Sequence, residues 1–323
     1  MLDNSHKNLS QAILETVAYS DVFEHPLRAR EIHRYLIGNR LPFEELEQAL
    51  DDERTILRKG EYFFLPGREE IVQIRQICEA HSRRLLPRAL QIGRLLGALP
   101  FIRMVALTGS LAVLNVSKTD DFDYMLVTVP GRVWTARALA LLINRVVKLF
   151  GHTICPNLII SEKALEWPLH DLYSARELCQ MVPVFGMDVY RDLLQLNAWA
   201  ADFLPNAFIE SNRSQFEVSQ ENSVSSHRTP VLKKLFEVLL GGKLGDRFEE
   251  WEMNRKIRRF SQQEGFGEET VFHAEVCQGN FHHHRKWTHA AFQKRLDNVN
   301  KDSSLPVGER AVLHHEGVEV RES

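Results

Sequence analysis

The clearest pattern of apolar and polar positions lies at the centre of the chain, where two apolar runs flank a polar connection. The first run, Met104–Leu107, has the length of a buried strand, and Gly109 and Ser110 interrupt the pattern just after it. The second run begins at Asp121, where polar and apolar residues alternate, so Asp121 and Asp123 share one face of a strand. The pattern therefore predicts two strands, joined through a turn and a short helix, that carry two carboxylates side by side.

Before these strands, the periodicity predicts three short helices and a hairpin. The helices cover residues 9–19, 27–37 and 43–53, and the hairpin lies within 56–65. This order resembles a winged helix-turn-helix module, which we place at residues 1–68. Its third helix carries six acidic residues and no Lys or Arg, so DNA phosphates would repel it. We therefore expect no DNA binding through this helix, and instead a role in docking a protein partner or covering a substrate.

After the hairpin, the pattern predicts a long connector helix and a further strand-helix-strand unit. The connector covers residues 69–99, with Pro87 expected to kink or divide it. The central strands are followed by a helix at 132–150 and a third strand at 153–161. Short connections of this kind favour a small mixed sheet with flanking helices, so the fold class is α+β.

Composition changes this picture little. Apolar residues make up 44% and charged residues 26% of the 323 residues, as in an ordinary globular protein, and the net charge of −3 argues against a generic nucleic-acid binder. The four cysteines are far apart in sequence, which favours reduced thiols over a disulfide framework. With no signal peptide or membrane-spanning run visible, we expect a cytoplasmic protein without a membrane partner.

The central pattern offers two kinds of ligand side by side. Two neighbouring carboxylates repel each other, and the hard oxygen donors of Asp121 and Asp123 suit a divalent cation such as Mg²⁺. The turn at Gly109 and Ser110 offers backbone N–H groups and a hydroxyl, which suit a phosphate. A phosphate site beside a metal-binding pair is typical of phosphoryl or nucleotidyl transfer.

This segment resembles the signature of the DNA polymerase beta-like nucleotidyltransferase superfamily: an apolar strand, Gly-Ser, a gap of roughly ten residues, and then Asp-apolar-Asp-apolar. More diffusely, the chain from about residue 10 to 295 is similar to a bacterial group of predicted nucleotidyltransferases that have a winged-helix-like N-terminus. The resemblance implies a nucleotidyltransferase that moves a nucleoside monophosphate from an NTP, expected to be ATP, to an unidentified acceptor hydroxyl. Gly109 and Ser110 would bind the nucleotide phosphates, and Asp121 and Asp123 would be the catalytic ligands of two Mg²⁺ ions.

Changes in composition and periodicity along the chain also indicate domain boundaries. The expected divisions are a winged-helix-like module at 1–68, a nucleotidyltransferase core with its connector at 69–209, a flexible linker at 210–229, a helical C-terminal region at 230–297 and a disordered tail at 298–323.

In one respect the sequence departs from the superfamily, which usually draws a third carboxylate from the third strand. Here that strand offers Asn157, with Cys155 and Ile159 expected on the same face, and no acid. Arg176 and Glu177 could line the nucleotide pocket, but an ion pair within or between helices is the favoured interpretation. The alternative function is therefore a catalytically impaired nucleotide-binding or regulatory protein that keeps the fold.

A second conspicuous cluster is His282–His284. Adjacent histidines in a helix point in different directions, so we expect a solvated or phosphate-facing turn rather than a shared metal site.

Overall fold

The computed structural model describes residues 8–117, 121–211 and 231–304. The chain forms two compact units: the first combines residues up to Gln76 with those from Lys286 onward, and the second comprises Ile77–Arg285. The boundaries between them fall inside one long helix, α4, and at the start of the last helix, α13.

The first unit contains short helices and a three-stranded antiparallel sheet of order β1-β3-β2. Its elements are α1 (Leu9–Asp21), β1 (Leu27–Arg28), α2 (Ala29–Arg34), α3 (Phe43–Asp52), β2 (Leu57–Lys59), β3 (Tyr62–Phe64), the start of α4 (Ile71–Gly97) and most of α13 (His284–Ser304).

Two features of this unit bear on the expectations. The helix predicted at 27–37 starts only at Ala29, because Leu27 and Arg28 pair with β3. In α3, Leu46 and Leu50 are buried and the acidic residues from Glu44 to Asp52 are exposed. A winged-helix function stays a prediction.

The second unit is built around a six-stranded mixed sheet of order β7-β4-β5-β6-β9-β8. Its elements after α4 are β4 (Ile102–Leu107), α5 (Gly109–Ala112), β5 (Phe122–Thr128), α6 (Val133–Lys148), β6 (Ile154–Ser161), α7 (Leu172–Gln180), β7 (Val182–Phe185), α8 (Met187–Leu196), α9 (Ala200–Phe203), α10 (205–211), α11 (Val231–Leu239), α12 (Gly242–Phe260), β8 (Thr270–His273) and β9 (Val276–Gly279). The pair β5–β6 is parallel and the other pairs are antiparallel. The expected α+β class with a mixed sheet is confirmed.

The main core lies on one face of this sheet. Alternating residues of β5, among them Phe122, Tyr124 and Leu126, pack with Trp134 of α6 in one buried cluster. The Tyr124 hydroxyl donates to the Ala89 carbonyl of α4 at 2.7 Å, so the buried phenol is hydrogen-bonded. Because successive strand residues point to opposite faces, this core places Asp123 on the other side of the sheet.

The sheet is larger than the sequence pattern predicts. Helix α7 ends at Gln180, and the next residues form β7, which contains Pro183. Proline is tolerated here because β7 is the edge strand of the sheet. At the opposite edge lies β8, and β9 joins it to β6.

Two expectations concern the C-terminal part of the chain, in which Gly241 separates α11 from α12. Almost all of the predicted linker at 210–229 lies outside the described residues. Helix α13 continues to Ser304, so the first residues of the predicted tail are helical, and the rest of that tail lies outside the described residues. Among the described residues, no helix is both long and apolar enough to cross a membrane.

Candidate functional site

The site is built where β4 and β5 lie side by side. Leu107, the last residue of β4, pairs with Tyr124, and the Thr108 amide donates to the Asp123 carbonyl at 2.9 Å. The chain then turns at Gly109, the first residue of α5. The register alone therefore brings the Gly-Ser turn next to the carboxylate of Asp123.

Gly109 is in direct contact with this carboxylate. Its φ of +64° lies in the left-handed region, which favours glycine. A Cβ added at Gly109 would overlap Oδ2 of Asp123 and would lie 3.1 Å from its Cγ. Only a residue without a side chain lets the turn pass so close to the carboxylate. The two halves of the sequence motif thus form one structural feature.

The charges of Asp121 and Asp123 both act on a third side chain, Cys155 of β6. Cys155 is the register partner of Asp123 in the parallel pair, so the two side chains point to the same face. Burial raises the pKa of the Cys155 thiol to about 12, and the charges of Asp123 and Asp121 and a hydrogen bond to Asp123 act in the same direction. The neutral thiol therefore donates to the Asp123 carboxylate.

The third strand differs from the expectation at Asn157. The register runs from Tyr124–Pro156 directly to Met125–Leu158, so it skips Asn157. This irregularity reverses the alternation along β6. Ile159, expected on the face of Cys155, instead pairs with Leu126 and belongs to the core on the opposite face. The shared face predicted for Cys155, Asn157 and Ile159 was therefore wrong, and a role for Asn157 at the site stays a prediction.

An acid from α7 faces this site instead. Strand β7 pairs with β4 through Val182 and Leu107, so the last turn of α7 lies beside the end of β4. Burial raises the pKa of Glu177 to about 7, and the charge of Asp123 raises it further, while Arg176 and Arg285 lower it. The charge of Asp123 therefore reaches Glu177. Glu177 also accepts a hydrogen bond from Nε2 of Gln180 at 2.6 Å.

Basic groups border the same acids. Arg176 is buried in α7 and Arg285 lies at the start of α13. Arg285 is held by Asp171, whose Oδ2 lies 3.4 Å from its Nε, and by Ser174, whose Oγ accepts from it at 3.3 Å. The site therefore combines oxygen donors with cations, which suits a metal-bound polyphosphate. The sequence pattern contained no signal for Arg285, because its approach to α7 depends on tertiary packing.

The histidine cluster forms a separate feature. His283 has a φ of +51°, and the rings of His282 and His284 lie 5.8 Å apart, edge to face. Burial lowers the pKa of His284, and the neighbouring His282 acts in the same direction. Within the described part of the chain, no three or more His, Cys, Asp or Glu side chains are grouped so that they could hold a metal ion. At nucleotide sites Mg²⁺ is commonly bound by one or two carboxylates together with substrate phosphates, a smaller set of protein ligands.

Comparison of the chain with protein-family models, with curated proteins and with solved structures found no match. The site is therefore interpreted from its own residues and geometry.

Proposed function

We propose that this chain is a Mg²⁺-dependent nucleotidyltransferase, which transfers a nucleoside monophosphate from an NTP to an acceptor hydroxyl. The observation that carries the proposal is the contact between Gly109 and the Asp123 carboxylate. It joins a turn with phosphate-binding groups to a carboxylate pair with the hard oxygen donors that Mg²⁺ prefers. The residues present therefore fit both ligands.

The roles follow from the chemistry of each group. The Gly109 and Ser110 turn binds the β- and γ-phosphates through backbone N–H groups and the serine hydroxyl. Asp121 and Asp123 hold Mg²⁺, two ions being expected, which supplies the charge neutralisation that phosphoryl transfer requires. These same backbone groups stabilise the departing pyrophosphate.

Glu177 supplies the acid that the third strand lacks. A carboxyl group with a pKa of about 7 is substantially ionised near neutral pH and is still basic enough to accept a proton. We assign to Glu177 the removal of the proton from the acceptor hydroxyl. Arg176 and Arg285, whose charges act on Glu177, limit the rise of its pKa.

Nucleotide binding tests the site directly. The unfolding temperature of the protein is measured with each of the four NTPs, with and without Mg²⁺, and a Mg²⁺-dependent rise is expected for at least one. Asp121→Asn and Asp123→Asn should abolish this rise. Asp192→Asn is the matched control, because Asp192 is exposed on α8. If both site variants respond to Mg²⁺-NTP like the parent, the site assignment is wrong.

One observation favours the second candidate, a nucleotide-binding protein with impaired turnover. The neutral Cys155 thiol lies opposite Asp123, on the strand that carries the third carboxylate in the superfamily this chain resembles. A neutral thiol is a poor ligand for Mg²⁺. Release of pyrophosphate separates the two candidates: an enzyme releases it in a Glu177-dependent manner, and the impaired protein binds Mg²⁺-NTP without release.

A further inference from the structure

Helix α11 is amphipathic in the reverse sense, because Lys233 and Glu237 face the protein, whereas its apolar residues and Lys234 face solvent. Lys233 is only 4% exposed and donates from Nζ to the carbonyls of Gly97 at 2.8 Å and Ile102 at 2.6 Å. Glu237, one turn later, accepts from Nη1 of Arg103 at 2.8 Å. Burial lowers the pKa of Lys233 to about 8, so anchoring the helix in this way has an electrostatic cost.

The apolar residues of α11 point away from these anchors. Val231 is 84% exposed and Leu239 is 66% exposed, and the other large apolar side chains of the helix are also about half exposed or more. A helix normally buries its apolar side against the core. The anchors show that this helix is docked on the second unit. Its exposed apolar side therefore belongs to a fixed element and is left uncovered by the described part of the chain.

The reversed arrangement continues into the first half of α12. Glu249 is buried and accepts hydrogen bonds from the amides of Trp134 at 2.8 Å and Thr135 at 2.7 Å, at the start of α6. Leu244 is 78% exposed, and Trp251 is more than half exposed. We define the apolar face as Val231, Leu232, Leu235, Phe236, Val238, Leu239, Leu244, Phe248 and Trp251.

The size of this face corresponds to a stable interface. Its side chains leave on the order of 1,000 Å² accessible, compared with about 800 Å² that each partner contributes to a standard interface. The largest apolar patch of a monomer is usually smaller, roughly 300–600 Å². Leu232, Leu235 and Leu239 are spaced three and four residues apart, the spacing by which one helix packs along another.

The charges beside the face decide between occupants. Exposed Lys234, Lys243 and Arg247 lie near exposed Glu250 and near Asp246, whose Oδ1 accepts a hydrogen bond from Arg132 at 2.6 Å. Binding to an anionic lipid surface is favoured where the residues beside an apolar face are basic only, and the acidic residues beside this face would be repelled by such lipids. In a two-fold arrangement, by contrast, the bases of one copy can lie opposite the acids of the other. We propose that the apolar face binds the same face of a second copy of this chain, forming a symmetric dimer.

The test is the mass of the full-length protein in solution, measured by light scattering and sedimentation over a range of concentrations. The parent should be a dimer. Leu235→Glu and, separately, Leu239→Glu should weaken self-association at least about tenfold, because each buries a charge in the interface. Both residues are exposed, so the urea midpoint of the dissociated variants should equal that of the dissociated parent. Leu149→Glu, at an exposed leucine after α6, is the matched control and should stay dimeric.

Two outcomes overturn the proposal. The first is a parent protein that is monomeric at every concentration. This outcome includes the case in which the monomer binds vesicles containing an anionic phospholipid and Leu235→Glu abolishes that binding. The second is a dimer that Leu149→Glu disrupts and neither Leu235→Glu nor Leu239→Glu does.

Discussion

The contact between Gly109 and Asp123 makes a quantitative prediction for Gly109→Ala. Two terms contribute to the loss of stability. An alanine at a φ of +64° costs about 1–2 kcal/mol because its Cβ crowds the following carbonyl oxygen. The same Cβ overlaps Oδ2 of Asp123, and overpacking of this kind costs roughly 1–3 kcal/mol. The free energy of unfolding should therefore fall by about 2–5 kcal/mol.

Gly131 provides a matched control. Its φ is +69°, close to that of Gly109, and a Cβ added there would meet no atom within 4 Å. Gly131→Ala should therefore show only the backbone cost, about 1–2 kcal/mol. The difference between the two variants measures the contact with the carboxylate, since the backbone term is nearly the same in both.

A double-mutant cycle isolates this contact by urea denaturation. Asp123→Ala removes Oδ2 but keeps the Cβ of residue 123, which lies 3.1 Å from the Cβ that Gly109→Ala adds. Asp123→Ala should therefore relieve only part of the loss of stability caused by Gly109→Ala. A coupling of about 1–2 kcal/mol is expected for this pair, and additivity for Gly131→Ala with Asp123→Ala. Mg²⁺-dependent nucleotide binding should be lost in Gly109→Ala and kept in Gly131→Ala.

Equal losses of stability in the two glycine variants, together with additivity of Gly109→Ala and Asp123→Ala, would refute the contact. The proposed site would then lose the observation on which it rests. A loss of nucleotide binding in Gly131→Ala equal to that in Gly109→Ala would show that the binding assay reports general destabilisation.

Further predictions concern the acids and the third strand. Folding raises the pKa of Glu177 from 4.5 to about 7, so the parent should lose stability as the pH rises through this window. The loss should be at most about 3 kcal/mol, and smaller than that because Glu177 is partly exposed. Urea midpoints measured at pH 5 and pH 8 should show this loss in the parent and not in Glu177→Gln. Glu249→Ala should lower the free energy of unfolding by about 2–3 kcal/mol, because it leaves two backbone amides at the start of α6 without a hydrogen-bond acceptor. Glu250 is exposed, so Glu250→Ala should change the free energy of unfolding by less than about 0.5 kcal/mol. Urea denaturation measures both values. In the presence of a non-hydrolysable NTP, Cys155→Asp should bind Mg²⁺ more tightly than the parent, and the same substitution should lower the stability of the free protein. Mg²⁺ titration should show a smaller effect for Asn157→Asp. A larger effect for Asn157→Asp than for Cys155→Asp would place Asn157 at the site.

Local periodicity predicted much of this fold. The central strands and the long helix α6 follow from apolar runs whose length and spacing correspond to their structure. The edge strand β7 was missed because Pro183 argues against a strand, and only its position at the edge of the sheet permits it. The reversed polarity of α11 was also invisible, because an amphipathic pattern does not say which side faces the protein.

The proximity of Gly109 and Asp123 could be predicted from neighbouring stretches of the chain, whereas proximities that depend on strand register and edge pairing could not. Gly109 and Asp123 meet because β4 and β5 follow each other along the chain and form an antiparallel pair. The third acid could not be found by counting along β6. The residue opposite Asp123 is Cys155, and the irregularity at Asn157 reverses the alternation only for the residues that follow it.

Glu177 reaches the site by a different route. Strand β7 pairs with β4 and carries the last turn of α7 to the end of that strand, so the position of Glu177 depends on an edge pairing that the sequence pattern does not contain. A carboxylate on a helix can move relative to Asp123 on β5 and Asp121 just before that strand without breaking the ladder of hydrogen bonds in the sheet. In the proposed enzyme, the proton acceptor can therefore be adjusted to the acceptor hydroxyl while the metal-binding pair stays fixed. Turnover should accordingly be more sensitive than nucleotide binding to changes in α7.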